Sequence, residues 1–289
     1  MLRIDAPAKI NLALHITGQR ADGYHLIDSL VVFAEFGDQL SAELSDKDGF
    51  HLDSPEAAAL SSEAAGSNLV VRARDALRDA ARRSGLDMPP VGIRLDKRLP
   101  VASGIGGGSA DAAATIKALC ELWDYRPGPE VLAKLALDLG ADVPMCLDGK
   151  PLIARGIGEA LNPVELGFDL DLVIVNPRVG VSTPSVFSAL AHRNNAPLPS
   201  PEGLNDKDRF VEWLRTTRND LQPPAQQMVP AIGDCLSALR HAGAGLARMS
   251  GSGASCFGVF DSPGAAQAAA ASLERAQPGW FIAATRTTR

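Results

Sequence analysis

Aromatic residues are scarce in this 289-residue chain, at 5%, and the four cysteines never come close to one another in sequence. Cys120, Cys146, Cys235 and Cys256 form no C-x-x-C pair, so neither a disulfide framework nor a zinc site is indicated. His15, His25, His51, His192 and His241 are too scattered to build a metal cluster by local spacing. Basic residues do not predominate: 28 Lys and Arg stand against 34 Asp and Glu, giving a net charge of −6, and no basic run occurs. That balance argues against nucleic acid as a partner. No apolar run reaches the roughly 18 residues needed to cross a bilayer. Met1-Leu2-Arg3-Ile4-Asp5 also lacks the apolar core of a signal peptide, so a cytoplasmic protein with no membrane partner is expected. A polyanionic ligand must then be held by local amides and a few cations, not by the global field.

At this length the chain exceeds the usual span of one core, and two domains are expected. The feature that stands out is Leu99-Pro-Val-Ala-Ser-Gly-Ile-Gly-Gly-Gly-Ser-Ala-Asp-Ala-Ala-Ala114, a glycine cluster running into residues of high helix propensity. Gly104, Gly106, Gly107 and Gly108 remove the Cβ atoms that would hold a phosphate away from the main chain, and Ser109 is placed to cap the helix that follows. Backbone amides and the positive end of the helix dipole would then face an anion. Two common nucleotide fingerprints do not fit. The P-loop needs a Lys after its second Gly, whereas Lys97 precedes the loop and Lys117 is the next lysine; the dinucleotide pattern needs a Gly where Ser109 stands.

Periodicity places the other elements around this loop. Residues 2–16 alternate as a strand carrying Lys9 and Asn11 on one face. Gly18 to Gly23 reads as a turn, with Tyr24 and His25 directly after it. Residues 30–36 and 39–44 read as two strands joined at Gly37-Asp38, residues 67–84 as a helix capped by Ser67-Asn68, and 91–96 as the strand entering the loop. Helices follow at 109–123 and 130–139; Gly140 ends the second, and Ala141-Asp142-Val143-Pro144 comes at once. In the second half a strand at 171–175, helices at 183–190, 208–217 and 224–242, a small-residue turn at 249–255 between strand segments, a helix at 265–276 and a strand at 280–284 give a mixed α+β layer. A soft boundary falls at 156–159. Taken singly, several of these residues have plain readings: Lys9 as a solvated strand residue, Asp142 as a turn former, Phe187 as part of the helix core, Lys97 as a solvated strand end.

Together they resemble the GHMP small-molecule kinases over almost the whole chain. Pro7-Ala8-Lys9-Ile10-Asn11-Leu12 with Gly23-Tyr24-His25, the glycine loop with Gly140-Ala141-Asp142-Val143-Pro144, and Ser250-Gly251-Ser252-Gly253-Ala254 carry the resemblance. It implies an α+β two-domain fold, with an N-terminal ribosomal-protein-S5-domain-2-like ATP-binding domain at 1–158 and a C-terminal ferredoxin-like α/β sandwich at 159–289. It also implies that ATP, with Mg²⁺, phosphorylates the 2-hydroxyl of a methylerythritol linked to cytidine diphosphate. By resemblance Asp142 takes the proton of the attacking hydroxyl and Lys9 keeps that carboxylate charged. Asn68, Lys97, Pro100, Gly104, Gly106, Gly107, Gly108 and Ser109 fall to ATP. Asn11, Tyr24, His25, Asp142, Pro184, Phe187, Gly251, Ser252 and Gly253 fall to the acceptor, with Tyr24 and Phe187 about the cytosine ring. A small-molecule substrate and a monomer or homodimer are expected.

The loop departs from the family pattern at Ala110, where a second serine is common, and at Ala102-Ser103, where glycine is more usual. Asp111, in the first helical turn, would repel phosphate unless a cation intervened. The alternatives are another GHMP kinase of mevalonate or homoserine type, which would not need Asp22-Gly23-Tyr24-His25, and a non-catalytic nucleotide-binding protein, which would not need both Lys9 and Asp142.

Overall fold

A computed structural model describes residues 1–53, 68–101 and 103–288. Ser67 of the expected cap pair and Ala102 of the loop entrance lie outside the described residues. Two compact units emerge, each discontinuous in sequence: 1–8, 37–101 and 106–148 form the first, and 9–36, 102–105 and 149–289 the second.

In the first unit the end of β2 (His25–Leu44) pairs antiparallel with β4 (Val91–Asp96), from Gln39 opposite Asp96 to Leu44 opposite Val91; β4 pairs parallel with β3 (Gly49–Asp53). Val91, Ile93 and Leu95 are buried and Arg94 is exposed, the alternation of a strand with one face covered. The two strands expected at 30–36 and 39–44 are one continuous strand. Gly37 is not a turn residue: a Cβ there would come within 2.6 Å of the Pro7 Cα, so the missing side chain admits β1 (Leu2–Gln19), which pairs with β2.

Helix α1 (Leu69–Arg83) starts at Asn68, whose Oδ1 accepts from the Val70 N–H at 2.9 Å, and it buries Val70, Ala73 and Leu77 as the spacing predicts. It packs on α2 (Gly107–Leu122), an alanine-rich helix that also packs on α4 (Val143–Asp148); α3 (Pro129–Leu139) lies against both α1 and α4. Alanines at 110, 112, 113, 114 and 118 of α2 are buried, which lets its neighbours approach closely.

In the second unit the start of β2 pairs with β5 (Leu152–Gly156), and β5 with β6 (Ala160–Pro163), all antiparallel. The soft boundary at 156–159 is the turn of this hairpin, where Gly156 and Gly158 take positive φ. A four-stranded antiparallel sheet follows in the order β10-β7-β9-β8, built from β7 (Asp171–Asn176), β8 (Leu246–Met249), β9 (Cys256–Phe260) and β10 (Phe281–Arg286). Around it are α5 (Thr183–Ser188), α6 (Lys207–Arg215), α7 (Gln222–Met228), α8 (Ala231–His241) and α9 (Pro263–Ala276). The helix expected over 224–242 is thus two. Pro230 has no N–H to give and drives Val229 to an extended ψ of 86°, which ends α7. Val173, Val175, Ile232, Leu236, Leu239, Phe260 and Leu273 form the heart of this unit's core.

Candidate active site

The glycines of the loop have different neighbours. Helix α2 begins at Gly107, two residues before the expected start, because Gly106 is its N-cap in the left-handed conformation, φ +68°. Ser109 is therefore the third residue of the helix and not its cap. The helix carries no side-chain cap at all. Amides of a helix's first turn have no acceptor within the helix, so Gly107, Gly108 and Ser109 lie at a helix start of the kind that suits an anion. Gly108 is exposed there. Ala110 is 2% exposed, so a serine at this position would bury its hydroxyl; the departure from the family pattern suits an interior position.

Gly104 has another task. A Cβ on it would lie 2.6 Å from the Gly253 carbonyl oxygen and 2.7 Å from that of Ser250, and a Cβ on Gly251 would lie 2.6 Å from the Gly104 carbonyl oxygen. All three glycines have positive φ. The turn between β8 and β9 is thus interlocked with residues 103–105. Ser255 N–H donates to the Ser103 carbonyl at 3.0 Å, and Ser250 Oγ donates to that of Gly104 at 3.2 Å. Strand β1 closes the group: Lys9 N–H donates to the Ile105 carbonyl at 2.9 Å, and Asn11 N–H to Ser250 Oγ at 3.0 Å. The Lys9 side chain is buried in this surrounding.

Asn11 donates its Nδ2 to Ser29 Oγ at 2.8 Å, while its buried Oδ1 has no hydrogen-bond partner and faces the place a Gly251 side chain would take, 3.4 Å away. Ser252 Oγ and Thr183 Oγ1 are 2.7 Å apart, which ties the turn to the start of α5, where the exposed Pro184 follows. Phe187, one turn on, stacks on His25 with ring centroids 4.9 Å apart and planes at 34°. Tyr24 sits at the tip of the β1–β2 hairpin and is 61% exposed. His25 Nε2 is buried without a partner, and burial, then the Arg193 charge, depresses the ring's pKa and keeps it neutral. Asn11 Oδ1 and His25 Nε2 are therefore two buried polar atoms open to a ligand or a water.

In the first unit Lys97 is not a solvated strand end. Its ammonium is buried between two carboxylates, bonded to Asp38 Oδ2 and, at 2.8 Å, to Asp111 Oδ2. Asp38 also accepts the Arg98 and Leu99 amides through Oδ1, at 2.6 and 2.7 Å, fixing the chain just before the buried Pro100. A Cβ on Gly107 would come 2.9 Å from the Lys97 Nζ, so the lysine props the first turn of α2 from behind. Burial works to lower the Lys97 pKa, but Asp111 and Asp38 outweigh it and the net direction is up. Asp111 is pushed up to about 7 by burial, against the pull of Lys97. Asp111 thus has its cation. Asp142, half-buried, stands where the chain turns from α3 to α4, and its carbonyl accepts the Cys146 amide at 3.2 Å.

Family models match the chain in two separate stretches. "GHMP kinases N terminal domain" matches residues 68–150 and "GHMP kinases C terminal" residues 202–279; the chain belongs to the GHMP kinases. Among its relatives are the 4-diphosphocytidyl-2-C-methyl-D-erythritol kinases of Agrobacterium fabrum, 52% identical over 98% of this chain and 95% of the relative, and of Mesorhizobium japonicum, 53% identical over 98% and 94%. A crystal structure of 4-(cytidine 5'-diphospho)-2C-methyl-D-erythritol kinase superposes with a TM-score of 0.81 at 32% identity, covering all of both chains. A homoserine kinase from Cytophaga hutchinsonii superposes with a TM-score of 0.73 at 21% identity, over 99% of this chain and 94% of that one, and shares the fold.

Proposed function

We propose that this protein is a 4-diphosphocytidyl-2-C-methyl-D-erythritol kinase, transferring the γ-phosphoryl group of ATP to the 2-hydroxyl of its substrate to give the 2-phosphate and ADP, a step of the methylerythritol phosphate route to isoprenoids. The observation that carries this reading is the identity of about half of all residues, over nearly the full length, with kinases of that name. Residues 1–158 are assigned as the ATP-binding domain and 159–289 as the C-terminal domain; the two family matches fall on either side of that division. The four cysteines are free, in keeping with a reducing, cytoplasmic setting. Among the described residues no helix is long and apolar enough to cross a membrane.

A sugar hydroxyl is a weak nucleophile at neutral pH. Asp142 is assigned as the base that accepts its proton, a role worth roughly 10²–10⁴-fold. Lys9 is assigned as the cation that orients the hydroxyl. The uncapped start of α2, with Gly106, Gly107, Gly108 and Ser109, holds the phosphates through its amides. Lys97 serves this group by supporting Gly107 from the interior, and Pro100 by fixing the entry to the loop. The carboxamide oxygen of Asn68 caps α1, and its NH₂ is the end assigned to adenine.

Mg²⁺ neutralises charge on the transferring phosphate when bound. Among the described residues no cluster of three His, Cys, Asp or Glu could cage an ion. The Ser109 hydroxyl, at the start of α2, is the side chain that would help to hold such a cation. Asp111 is committed to Lys97.

On the acceptor side His25 meets the cytosine edge, Phe187 backs His25 and the base, and the exposed Tyr24 covers the other face. Asn11 Oδ1 accepts from a hydroxyl of the methylerythritol, and the Gly251-Ser252-Gly253 turn closes against it. ADP release by the purified protein, measured with the cytidylyl substrate and with mevalonate in parallel, tests the reading. Turnover confined to the cytidylyl substrate is expected; preference for mevalonate overturns the acceptor assignment, and no turnover of either overturns the kinase.

A further inference from the structure

The segment between α6 and α7, Thr217-Arg218-Asn219-Asp220-Leu221, carries no glycine cluster and no recognisable motif, yet it grips the second glycine turn. Asn219 is 5% exposed and uses its whole carboxamide. Nδ2 donates to the Met249 carbonyl at 2.7 Å and to the Gly251 carbonyl at 2.9 Å, and Oδ1 accepts the Leu221 amide at 2.9 Å. Both donors and the acceptor are thus satisfied, and the opposite amide orientation would set an oxygen against two carbonyls. The main chain around Asn219 is itself fixed to β1: Leu14 N–H donates to the Arg218 carbonyl at 2.9 Å and Asp220 N–H to that of Leu14 at 2.8 Å.

Asp220, the next residue, faces elsewhere. Its Oδ2 accepts the Ile16 amide at 2.7 Å and Asn195 Nδ2 at 3.2 Å, and its Oδ1 accepts Arg218 Nε at 2.6 Å. Asp220 therefore straps the 192–206 stretch to β1, while Asn219 holds the turn.

We propose that Asn219 is a positioning residue for phosphoryl transfer: it fixes the β8–β9 glycine turn against β1, so that Gly251 stands opposite the open Oδ1 of Asn11 before the acceptor arrives. The two carbonyls it binds flank Ser250, the residue whose hydroxyl takes the Asn11 amide. Without the Nδ2 donors these carbonyls would lose their partners, and the turn would lose the contact that sets its height over Asn11. The inference rests on the acceptor-side reading of that turn.

Asn219→Ala and the milder Asn219→Ser are compared with Ser252→Ala and Asp220→Ala. KM for the cytidylyl substrate, KM for ATP, kcat and melting temperature are measured on the full chain. Both Asn219 variants are expected to raise acceptor KM or lower kcat at least tenfold while KM for ATP stays within about twofold, Ser being less affected than Ala. Asp220→Ala is expected to lower the melting temperature with both KM values unchanged. If Ser252→Ala shifts acceptor KM and the Asn219 variants alter only melting temperature, as Asp220→Ala does, the positioning role is overturned and the acceptor-side reading stands. If Ser252→Ala and the Asn219 variants all leave acceptor kinetics alone, the acceptor-side reading of the turn itself is overturned. Should Asn219→Ala fail to fold, Asn219→Ser decides.

Discussion

Gly104→Ala and Gly108→Ala, four residues apart in one loop, should fail in opposite ways. At Gly104 the φ of +74° lies in the left-handed region, which costs an L-residue roughly 1–2 kcal/mol. The new methyl would also meet backbone atoms of Ser250 and Gly253 at 2.6 to 2.8 Å, and these cannot turn aside as a side-chain end could. Overpacking of that kind costs roughly 1–3 kcal/mol, and a less flexible unfolded chain returns about 0.4–1 kcal/mol. A net loss of about 1–5 kcal/mol remains, or a fall in melting temperature on the order of 2–20 °C. Gly108 has no such constraint: it is exposed, lies in the first turn of α2, and a Cβ there meets only the end of Leu69 at 3.3 Å. Alanine in place of glycine favours a helix by up to about 1 kcal/mol. Gly108→Ala should therefore melt at or slightly above the parent temperature, yet raise KM for ATP at least tenfold by placing a methyl beside the amides proposed to bind phosphate. Thermal melts and ATP titrations of both variants decide the matter. A Gly104→Ala protein that melts within about 2 °C of the parent refutes the interlock of the two turns, and an unchanged KM for ATP in Gly108→Ala removes Gly108 from the phosphate site.

Asp142→Asn should lower kcat by roughly 10²–10⁴-fold while ATP binding, followed by calorimetry, stays within about threefold; unchanged turnover would exclude Asp142 as the base. His15 is buried, with Nδ1 against the Ala196 carbonyl at 3.1 Å and Nε2 accepting the Arg218 amide at 3.2 Å, so its neutral form is the one the fold accommodates. Burial first, then Arg218, depresses its pKa below the usual 6.5, against weaker pulls from the Ala196 and Pro197 carbonyls and Asp220. The unfolded chain then takes up this proton first as pH falls, so the urea midpoint should hold above pH 6.5 and decline below it, and His15→Gln should shallow that decline. Arg248 is buried and donates to the carbonyls of Leu12, Leu214 and Thr217 and to Thr217 Oγ1; burial lowers its pKa to about 10, which leaves it charged at neutral pH. Arg248→Met should cost about 3 kcal/mol or more in urea unfolding, because the buried Leu12 and Thr217 carbonyls lose a charged donor, while the Leu214 carbonyl keeps the Thr217 amide and hydroxyl.

Local signals located most of the elements, and where they failed a tertiary contact had taken over. Asn68 before α1 and Ser262 before α9 are side-chain caps whose chemistry is local, and both helices begin beside them. Gly37 reads as a turn because glycine usually marks one; its actual reason is the passage of Pro7, thirty residues away in sequence, and no pattern around Gly37 could reveal that. Val229-Pro230 is the opposite case. The rule that proline ends a helix was available, but the apolar spacing of Met228, Ile232, Leu236 and Leu239 runs straight across the break and hides it.

The same division separates what was legible in the site from what was not. A run of glycines before a helix states only that side chains are unwelcome there. It does not distinguish Gly108, beside the open helix terminus, from Gly104, whose Cβ space is filled by a turn some 150 residues later, or Gly107, whose Cβ space is filled by Lys97. Each glycine would look the same in any local window. Residues that act by bonding across such distances leave still less trace: Asp38 meets Lys97 from 59 residues away, and Asn219 reaches Met249 and Gly251 from 30 and 32. Aspartate after glycine and asparagine before aspartate are ordinary loop dipeptides, and nothing in their own neighbourhood required them to be anything more. For such residues the requirement comes from a buried partner, the Lys97 ammonium in one case and two turn carbonyls in the other. Those partners are hidden until the chain has folded, so the supports of the two glycine turns could be identified only from the structure, although the turns themselves were evident in the sequence.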